Sequence, residues 1–405
     1  MRLSLLLERE PFGAILEATL ARYWSARSGR AMHVCWHQPG TGPAGAQEWR
    51  GNSYLNYFTV SETSAAALAV IRREFARSRS PWLRPVQAAY VSLATARSTR
   101  RWFSQAAFSV MPQRDDAAGS FVVPGNHRLR ILCPERNSSV VLLKNGFPAR
   151  YLAAEIEARQ SIAATLAPPL AEVALDGSWF AEGYIEGTPA NRLTPEKERE
   201  AIRFAVEGLR EYAIVPTLKI ERASDWTERL EQRIGELLRE SGAEIDAEIC
   251  RRLRDSAGRL NQCVRAAGAL QLGTAHTHGD MQAGNILSAD DRVWLIDWEG
   301  AGRRLANYDL LSLLLDVRLD PHWGENLARR LDEAPALGTL SFLSDWPGVD
   351  WGAGGRRPTL AAFILEEMCY VLDDALQSFR RAPTDRLRAL AETVEAAEKN
   401  LANVA

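Results

Sequence analysis

The chain has 405 residues, of which 46% are hydrophobic and 25% are charged, a composition typical of globular proteins rather than of disordered or fibrous ones. Its 49 basic and 51 acidic side chains give a net charge of -2. Such a balance provides no global positive field for nucleic acid or for an anionic membrane. We therefore expect no nucleic-acid partner, and any anionic ligand must be bound by a local group of charges.

Three further features of the sequence bear on its compartment. The apolar start Met1–Leu7 is short and runs into the acidic Glu8–Glu10, which is unlike a secretory signal. No later window approaches the roughly 18 consecutive apolar residues of a membrane span. The five cysteines are scattered without a CxxC pair, so neither a disulfide framework nor a zinc site is indicated. We expect a cytoplasmic protein without a membrane span, and the sequence leaves its oligomeric state open.

Residues 1–105 have the pattern of a small α/β domain. Apolar residues at helical spacing predict a helix over residues 11–27. Strand-like runs follow at residues 32–36 and 53–60, and two more helices are expected, the first of them capped by Ser61. The pattern assigns no task to this domain, because substrate recruitment, dimerisation and support of the rest of the chain fit it equally well.

Residues 106–190 have the pattern of an antiparallel sheet that is interrupted by one helix. Short runs rich in β-branched residues alternate with Pro- and Gly-containing turns, and a helix is predicted over residues 151–165. The predicted strands cover residues 121–123, 128–133, 140–144 and 179–187. Residues 191–405 have mainly helical periodicity. The sequence therefore predicts an α+β chain in which a strand-rich lobe precedes a helical lobe.

The most chemically suggestive segment of the chain surrounds Asp280. Asn285 follows Asp280 by five residues, and Asp297 follows a predicted hairpin with a turn at Ser288–Arg292. The two strands of that hairpin would bring Asn285 and Asp297 to the same end. One carboxylate can orient an attacking hydroxyl while a carboxamide and a second carboxylate hold Mg²⁺, and phosphoryl transfer from ATP requires these roles. The spacing therefore favours a kinase.

The two halves of this segment, His278–Asp280 with Asn285 and then Ile296–Glu299, resemble the signature of the aminoglycoside phosphotransferase and choline kinase family. That family is similar in fold to protein kinases, and the resemblance extends over residues 118–400. It implies a bilobal protein-kinase-like fold, with an antiparallel β N-lobe, a mainly helical C-lobe and, in this chain, an extra N-terminal α/β domain. It also implies ATP and Mg²⁺ as cofactors.

The resemblance gives each matching residue a role. Asp280 would be the catalytic base, and Asn285 and Asp297 would be the metal ligands. Lys144 would pair with the ATP phosphates, and Glu155 would anchor it from the following helix. The alternative anchor, Glu157, is less favoured because residues two apart on a helix point in different directions.

The other matching residues would bind the nucleotide or support the site. The backbone of the hinge segment would meet adenine, and its residues are Glu182, Tyr184 and Ile185. Asp309 would brace the catalytic loop, His278 would pack it, and Glu299 would assist the metal. These roles are implied by the resemblance alone.

Two departures from the family pattern narrow the prediction. The phosphate-covering loop, which contains Asn126, is poor in glycine and would offer few backbone N–H groups to a phosphate. Gly279 stands where protein kinases carry an arginine that responds to a phosphorylated loop, and no Ala-Pro-Glu sequence follows Asp297. Gly279 and the missing Ala-Pro-Glu sequence both favour a small-molecule kinase over a protein kinase that phosphorylation activates.

The acceptor is therefore expected to be a hydroxyl of a sugar, an amino alcohol, an antibiotic or a glycan precursor. Two other functions stay open from the sequence. One is a catalytically silent, nucleotide-binding scaffold (a pseudokinase), and the other is a protein kinase that acts on a partner. Nothing in the helical lobe forms a recognisable code for the acceptor.

Overall fold

The computed structural model of the chain describes residues 3–76, 81–161, 165–240, 245–289, 292–333, 345–352, 354–376, 383–402 and 404. The chain divides into two compact units. Unit 1 comprises Met1–Ile156 and Pro168–Glu186, and unit 2 comprises Glu157–Ala167 and Gly187–Ala405. Within the described ranges, no helix is both long and apolar enough to cross a bilayer. The five cysteines are all free thiols.

The helices of the first 161 residues are α1 (Leu3–Arg9), α2 (Phe12–Ser28), α3 (Ala65–Phe75), α4 (Arg84–Thr95) and α5 (Arg150–Ser161). Helix α2 lies close to the predicted range 11–27, and its C-terminal cap is Gly29, whose φ of 67° is in the left-handed region that glycine favours. The predicted cap of α3 is wrong, because Ser64 rather than Ser61 accepts the N–H of Ala67. Ser61 instead lies in the turn after the preceding strand.

The described strands of unit 1 form one nine-stranded sheet. They are β1 (His33–His37), β2 (Gln47–Asn52), β3 (Tyr57–Val60), β4 (Ala106–Met111), β5 (Phe121–Pro124), β6 (Arg128–Cys133), β7 (Ser138–Leu143), β8 (Leu170–Val173) and β9 (Trp179–Gly183). Their order is β1-β4-β2-β3-β5-β6-β7-β9-β8, and every neighbouring pair is antiparallel. Strands from residues 1–105 and from the predicted N-lobe therefore share a sheet.

The prediction of a single strand over residues 53–60 is wrong, because a turn occupies the first half of that range. The side-chain oxygen of Asn52 accepts the N–H groups of Tyr54 at 3.0 Å and of Leu55 at 2.7 Å. Asn56 then adopts a φ of 55°, which asparagine tolerates better than most residues. These local bonds compete with strand pairing, so the chain makes the β2–β3 hairpin instead.

The sheet of unit 1 is covered by α2 through a buried aromatic cluster. The ring of Trp24 from α2 lies 5.7 Å from that of Trp49 on β2, and Trp49 stacks on Phe108 of β4 at 5.6 Å. Phe58 of β3 completes the contact at 5.2 Å from Phe108. All four side chains are fully buried, and aromatic burial of this extent dominates the stability of a core.

The helices of unit 2 after residue 187 are α6 (Pro195–Leu209), α7 (Val215–Thr217), α8 (Ala223–Glu240), α9 (Ala247–Ala266), α10 (Tyr308–Leu315), α11 (Trp323–Glu333), α12 (Arg356–Ala375) and α13 (Pro383–Leu401). Two small antiparallel sheets accompany them. One contains β10 (Thr188–Pro189), β13 (Ile286–Ala289) and β14 (Arg292–Leu295), and the other contains β11 (Lys219–Arg222), β12 (Gln271–Thr277) and β15 (Gly302–Leu305). The predicted helical lobe is confirmed.

Helix α12 contains a long buried stretch in unit 2. Leu360–Leu365 is fully buried without a break, so the helix is apolar around its whole circumference, as a central helix must be. Glu366 and Glu367 follow directly and are also buried. Two consecutive buried carboxylates require nearby cations or donors, and these lie beside the loop described next.

Candidate active site

The loop that contains Asp280 begins where β12 ends, and the β13–β14 hairpin follows it. Ile286 pairs with Leu295 in that hairpin, and the N–H of Ile296 donates to the carbonyl of Asn285 at 3.0 Å. Asn285 and Asp297 therefore lie at the same end of the hairpin, as the spacing predicted. Residues 290 and 291 of the predicted turn lie outside the described residues.

At Gly279 the Asp280 loop packs closely against the turn that follows Asp297. Its φ of 79° is in the left-handed region, and a Cβ added there would lie 1.9 Å from the carbonyl oxygen of Gly300. Gly300 belongs to the short 3-10 helix that Asp297 precedes. Only glycine allows this approach, so Gly279 is required for the packing of one catalytic segment on the other.

Asp280 is held from several directions. The side-chain nitrogen of Asn285 donates to the Asp280 carboxylate at 3.0 Å and to its carbonyl at 2.9 Å. Gln282 donates to the same carboxylate oxygen at 3.2 Å. The Nε of Arg318 lies 2.9 Å from the other oxygen. A carboxylate has about four acceptor sites, so these three nitrogens orient Asp280 and still allow it to accept a further donor.

Asp309 braces the loop through its backbone. Its two carboxylate oxygens accept the N–H groups of His278 at 2.6 Å and of Gly279 at 2.8 Å. Burial raises the pKa of Asp309, and His278 and these two N–H bonds oppose that rise. Asp309 also lies in the first turn of α10, where the helix dipole stabilises negative charge. Asp309 therefore holds the backbone of the loop at His278 and Gly279, and its role in the reaction stays a prediction.

His278 is fully buried and packs the loop against the Asp297 turn. Its ring lies 4.5 Å from that of Trp298, and its Nε2 lies 2.9 Å from the carbonyl oxygen of Ile296. Glu299 follows Trp298 within the same 3-10 helix. Both predicted supporting residues are therefore near the Asp297 turn.

The donor set at this hairpin end is compatible with Mg²⁺. Asn285 directs its amide nitrogen to Asp280, which turns its Oδ1 away, and Asp297 provides a carboxylate. Hard oxygen ligands of this kind, completed by phosphate and water, are the usual coordination of Mg²⁺ in phosphoryl transfer. The described part of the chain contains no cluster of three or more His, Cys, Asp or Glu suited to a metal. The predicted ligand pair is instead one asparagine and one aspartate.

Lys144, which directly follows β7, is fully buried in unit 1. Its ammonium lies 2.5 Å from a carboxylate oxygen of Glu10 and 2.9 Å from the carbonyl of Asn126. The side-chain oxygen of Asn126 accepts from Arg9 at 2.9 Å. A phosphate contact by Lys144 would require the ammonium to be shared with these acceptors, so that role stays a prediction.

Glu155 is the buried glutamate of α5, whereas Glu157 is exposed. Glu155 forms a buried ion pair with Arg128 of β6. Glu155 is the residue that the sequence favoured over Glu157 as the anchor of Lys144. Its pairing with Lys144 stays a prediction.

The predicted hinge residues lie at the end of β9 and beyond it. Glu182 is buried and accepts from the hydroxyl of Ser139 at 3.1 Å. The N–H of Tyr184 donates to the carbonyl of Asn137 at 3.1 Å, so that donor is already used within unit 1. Ile185 follows in an irregular segment.

A group of residues that the sequence did not reveal surrounds Arg318. Arg318 pairs with Glu367 of α12, donates to the hydroxyl of Tyr308 at 2.8 Å, and has its guanidinium 4.6 Å from the ring centroid of Tyr370. Burial opposes the charge of Arg318, but Glu367 and its other neighbours raise its pKa well above the usual value. The one available signal was the Glu366–Glu367 pair within an apolar helix.

The antiparallel sheet of unit 1 and the loop-and-hairpin site of unit 2 are the features of a kinase-like phosphotransferase. The chain belongs to the phosphotransferase enzyme family, whose model matches residues 135–347, more than half of its length. The predicted family resemblance is thereby confirmed. No curated protein matches the sequence.

Solved structures with a similar fold include three small-molecule kinases. A choline/ethanolamine kinase family protein from Mesorhizobium loti is 18% identical, with a TM-score of 0.45, and covers 78% of this chain and 94% of its own. An ethanolamine kinase from Plasmodium vivax is 11% identical, with a TM-score of 0.45 and coverages of 82% and 92%. An aminoglycoside phosphotransferase from Alicyclobacillus acidocaldarius is 14% identical, with a TM-score of 0.41 and coverages of 70% and 90%. None of these likenesses assigns a substrate to this chain.

Proposed function

We propose that the protein transfers the γ-phosphoryl group of ATP, with Mg²⁺, to a hydroxyl group of a small molecule. The observation that carries the proposal is the oriented Asp280 carboxylate, which Asn285, Gln282 and Arg318 hold while an acceptor site remains. Such positioning supplies most of the catalysis in phosphoryl transfer, because the protein has little covalent chemistry to perform.

In the proposed reaction, the acceptor hydroxyl donates a hydrogen bond to Asp280. Its oxygen forms a bond to the γ-phosphorus as the bond from that phosphorus to the β,γ-bridging oxygen breaks. The proton passes to the Asp280 carboxylate and ADP is the leaving group. Mg²⁺, held by Asn285 and Asp297, would neutralise the charge that develops on the phosphate oxygens.

The nucleotide roles are part of the same proposal. Lys144 would meet the phosphates, with Glu155 as its anchor, and the segment from Glu182 to Ile185 would contact adenine. Asn126 would lie in the loop that covers the phosphates. The acceptor classes to be tested are sugars, amino alcohols, antibiotics and glycan precursors.

The test is a metabolite screen for Mg-ATP-dependent phosphorylation, with Asp297→Asn as the blank. We expect a phosphorylated product with the unmodified chain, and a loss of at least about 100-fold with Asp280→Ala, since a positioned proton acceptor contributes about 10²- to 10⁴-fold. Glu392→Gln, at an exposed position on α13, serves as a control for a general charge effect and should retain the activity of the unmodified chain.

Three outcomes would overturn the proposal. Absence of Mg-ATP binding would exclude a kinase, and Mg-ATP binding with no product and no effect of Asp280→Ala on any transfer would indicate a scaffold. Transfer of label to protein rather than to small molecules would indicate a protein kinase.

A further inference from the structure

Helix α4 presents a second apolar stripe on the face that points away from its own core. Val91 and Ala94 are buried in a cluster that includes Tyr57 and Ile71. On the opposite face, Val86 is 66% exposed and Leu93 is 47% exposed. An apolar face of this kind is unusual on a helix that already buries its other side.

Exposed tryptophans flank α4 on both sides in the sequence. Trp82, in the 3-10 turn that precedes the helix, is 90% exposed, and Trp102, in the 3-10 helix Arg100–Phe103, is 67% exposed. Trp82, Val86 and Leu93 follow the spacing i, i+4 and i+11, which places them along one side. The ring of Phe103 lies 5.4 Å from that of Tyr90 on α4, so the second 3-10 helix packs directly against α4.

The charged residues within the segment that carries this stripe have one sign. Residues 81–114 contain no aspartate, glutamate or lysine, but they contain five arginines. Arg100 donates to backbone carbonyls of the β3 turn, and Arg114 pairs with Asp116. Arg97 and Arg101 are exposed, and the guanidinium of Arg101 lies 5.1 Å from the ring centroid of Trp102. The face therefore combines exposed indole rings with local positive charge on a chain whose net charge is -2.

We propose that this face docks on the surface of a bilayer that contains anionic phospholipids. The docking face is formed by Trp82, Val86, Leu93 and Trp102 together with Arg97 and Arg101. Tryptophan rings favour the headgroup boundary, aliphatic side chains enter beneath it, and arginines meet the lipid phosphates. A nucleic acid would leave the aliphatic stripe exposed to water, and a second copy would bring arginines against arginines.

The test is vesicle flotation of the full chain with phosphatidylcholine vesicles and with mixed vesicles of phosphatidylcholine and phosphatidylglycerol. We expect binding to the mixed vesicles and at least about tenfold weaker binding to the neutral ones, because each basic residue at an anionic surface contributes roughly fivefold. The double variants Trp82→Ser/Trp102→Ser and Arg97→Glu/Arg101→Glu should each lower binding to mixed vesicles by tenfold or more.

A matched control is Leu175→Ser/Phe204→Ser, which removes exposed apolar side chains from other surfaces and should leave vesicle binding unchanged. Circular dichroism of all variants verifies that they fold. Equal binding by the control and the two test variants would overturn the proposal, as would failure of the unmodified chain to bind either vesicle.

A light-scattering result in which Trp82→Ser/Trp102→Ser converts a dimer to a monomer would assign the face to self-association instead. Preferential binding of a single-stranded oligonucleotide over vesicles would also overturn it.

Discussion

Arg318 is the residue beside Asp280 for which the sequence predicted no role. It donates to the carbonyl of Gly279 at 3.2 Å as well as meeting the Asp280 carboxylate. It therefore contacts both the backbone and the side chain of the catalytic loop. An arginine can do this because its guanidinium carries five donors in a fixed plane.

We predict that Arg318→Met lowers kcat by about 10- to 100-fold, on the order of the effect of a misplaced catalytic group, and leaves the KM for ATP within about threefold. Arg318→Lys should recover part of the loss, because an ammonium keeps the charge but not the planar set of donors. Steady-state kinetics with the acceptor found in the screen provide the measurement. A rise in KM without a change in kcat would contradict this role.

How far the sequence predicted the site depends on how near in sequence its parts are. Asp280, Asn285 and Asp297 lie within one loop and one hairpin, so local geometry was sufficient to group them. Arg318 meets Asp280 through the end of α10 and a contact with α12, and no spacing rule connects those elements. The same reason explains why Glu10 was not foreseen as an acceptor for Lys144, 134 residues away.

At the scale of an element, helix α12 carries two acidic side chains, Glu366 and Glu367, within the buried core. Glu366 accepts the N–H of Leu305 at 3.0 Å, and the hydroxyl of Tyr308 donates to Glu367 at 2.6 Å. Burial raises the pKa of Glu366 to about 8, although Arg304 and the Leu305 N–H partly oppose the rise. Burial within α12 therefore favours the protonated form of this carboxyl group.

This pKa predicts a specific pH dependence of stability. The pKa of Glu366 in the folded chain lies above its unfolded value of 4.5. Its contribution to the free energy of unfolding is therefore full below about pH 4.5 and is lost as the pH rises from there through about 8. We predict that the free energy of unfolding of the unmodified chain falls more steeply over this window than that of Glu366→Gln. Glutamine keeps an acceptor for Leu305 and cannot ionise.

Urea unfolding across the pH series provides the measurement, with the exposed Glu392→Gln on α13 as the control. The control should follow the unmodified chain. Parallel pH profiles for Glu366→Gln and the unmodified chain would contradict the prediction. Other buried groups, such as Asp309, are common to all three proteins and cancel in the comparison.

At the scale of the whole molecule, the sheet of unit 1 crosses the predicted boundary at residue 105. β4 pairs with β1 and β2, and β5 pairs with β3. The α+β class and the order of a strand-rich region before a helical one were predictable from periodicity. The continuity of the sheet was not, because strand pairing across tens of residues has no local sequence signal.

We predict that a chain truncated to residues 106–405 fails to fold as a soluble monomer. It would lose Trp24, Trp49 and Phe58 from the aromatic cluster and would expose the edge of β5, and exposed edges promote aggregation. Solubility after expression and cooperative thermal unfolding provide the measurement, with the full chain as the reference. A soluble truncated chain that unfolds cooperatively would support residues 1–105 as a separate domain.

The segment Glu157–Ala167 belongs to unit 2 although unit 1 residues flank it on both sides. Leu166 accepts the N–H of Leu295 at 2.7 Å, and Leu295 follows it by 129 residues along the chain. At about 5–20 residues per second, a ribosome would need on the order of ten seconds to deliver that donor. All of unit 1 is synthesised within the first 186 residues. The strands of its sheet can therefore pair before Leu295, the hydrogen-bond partner of Leu166, has been translated.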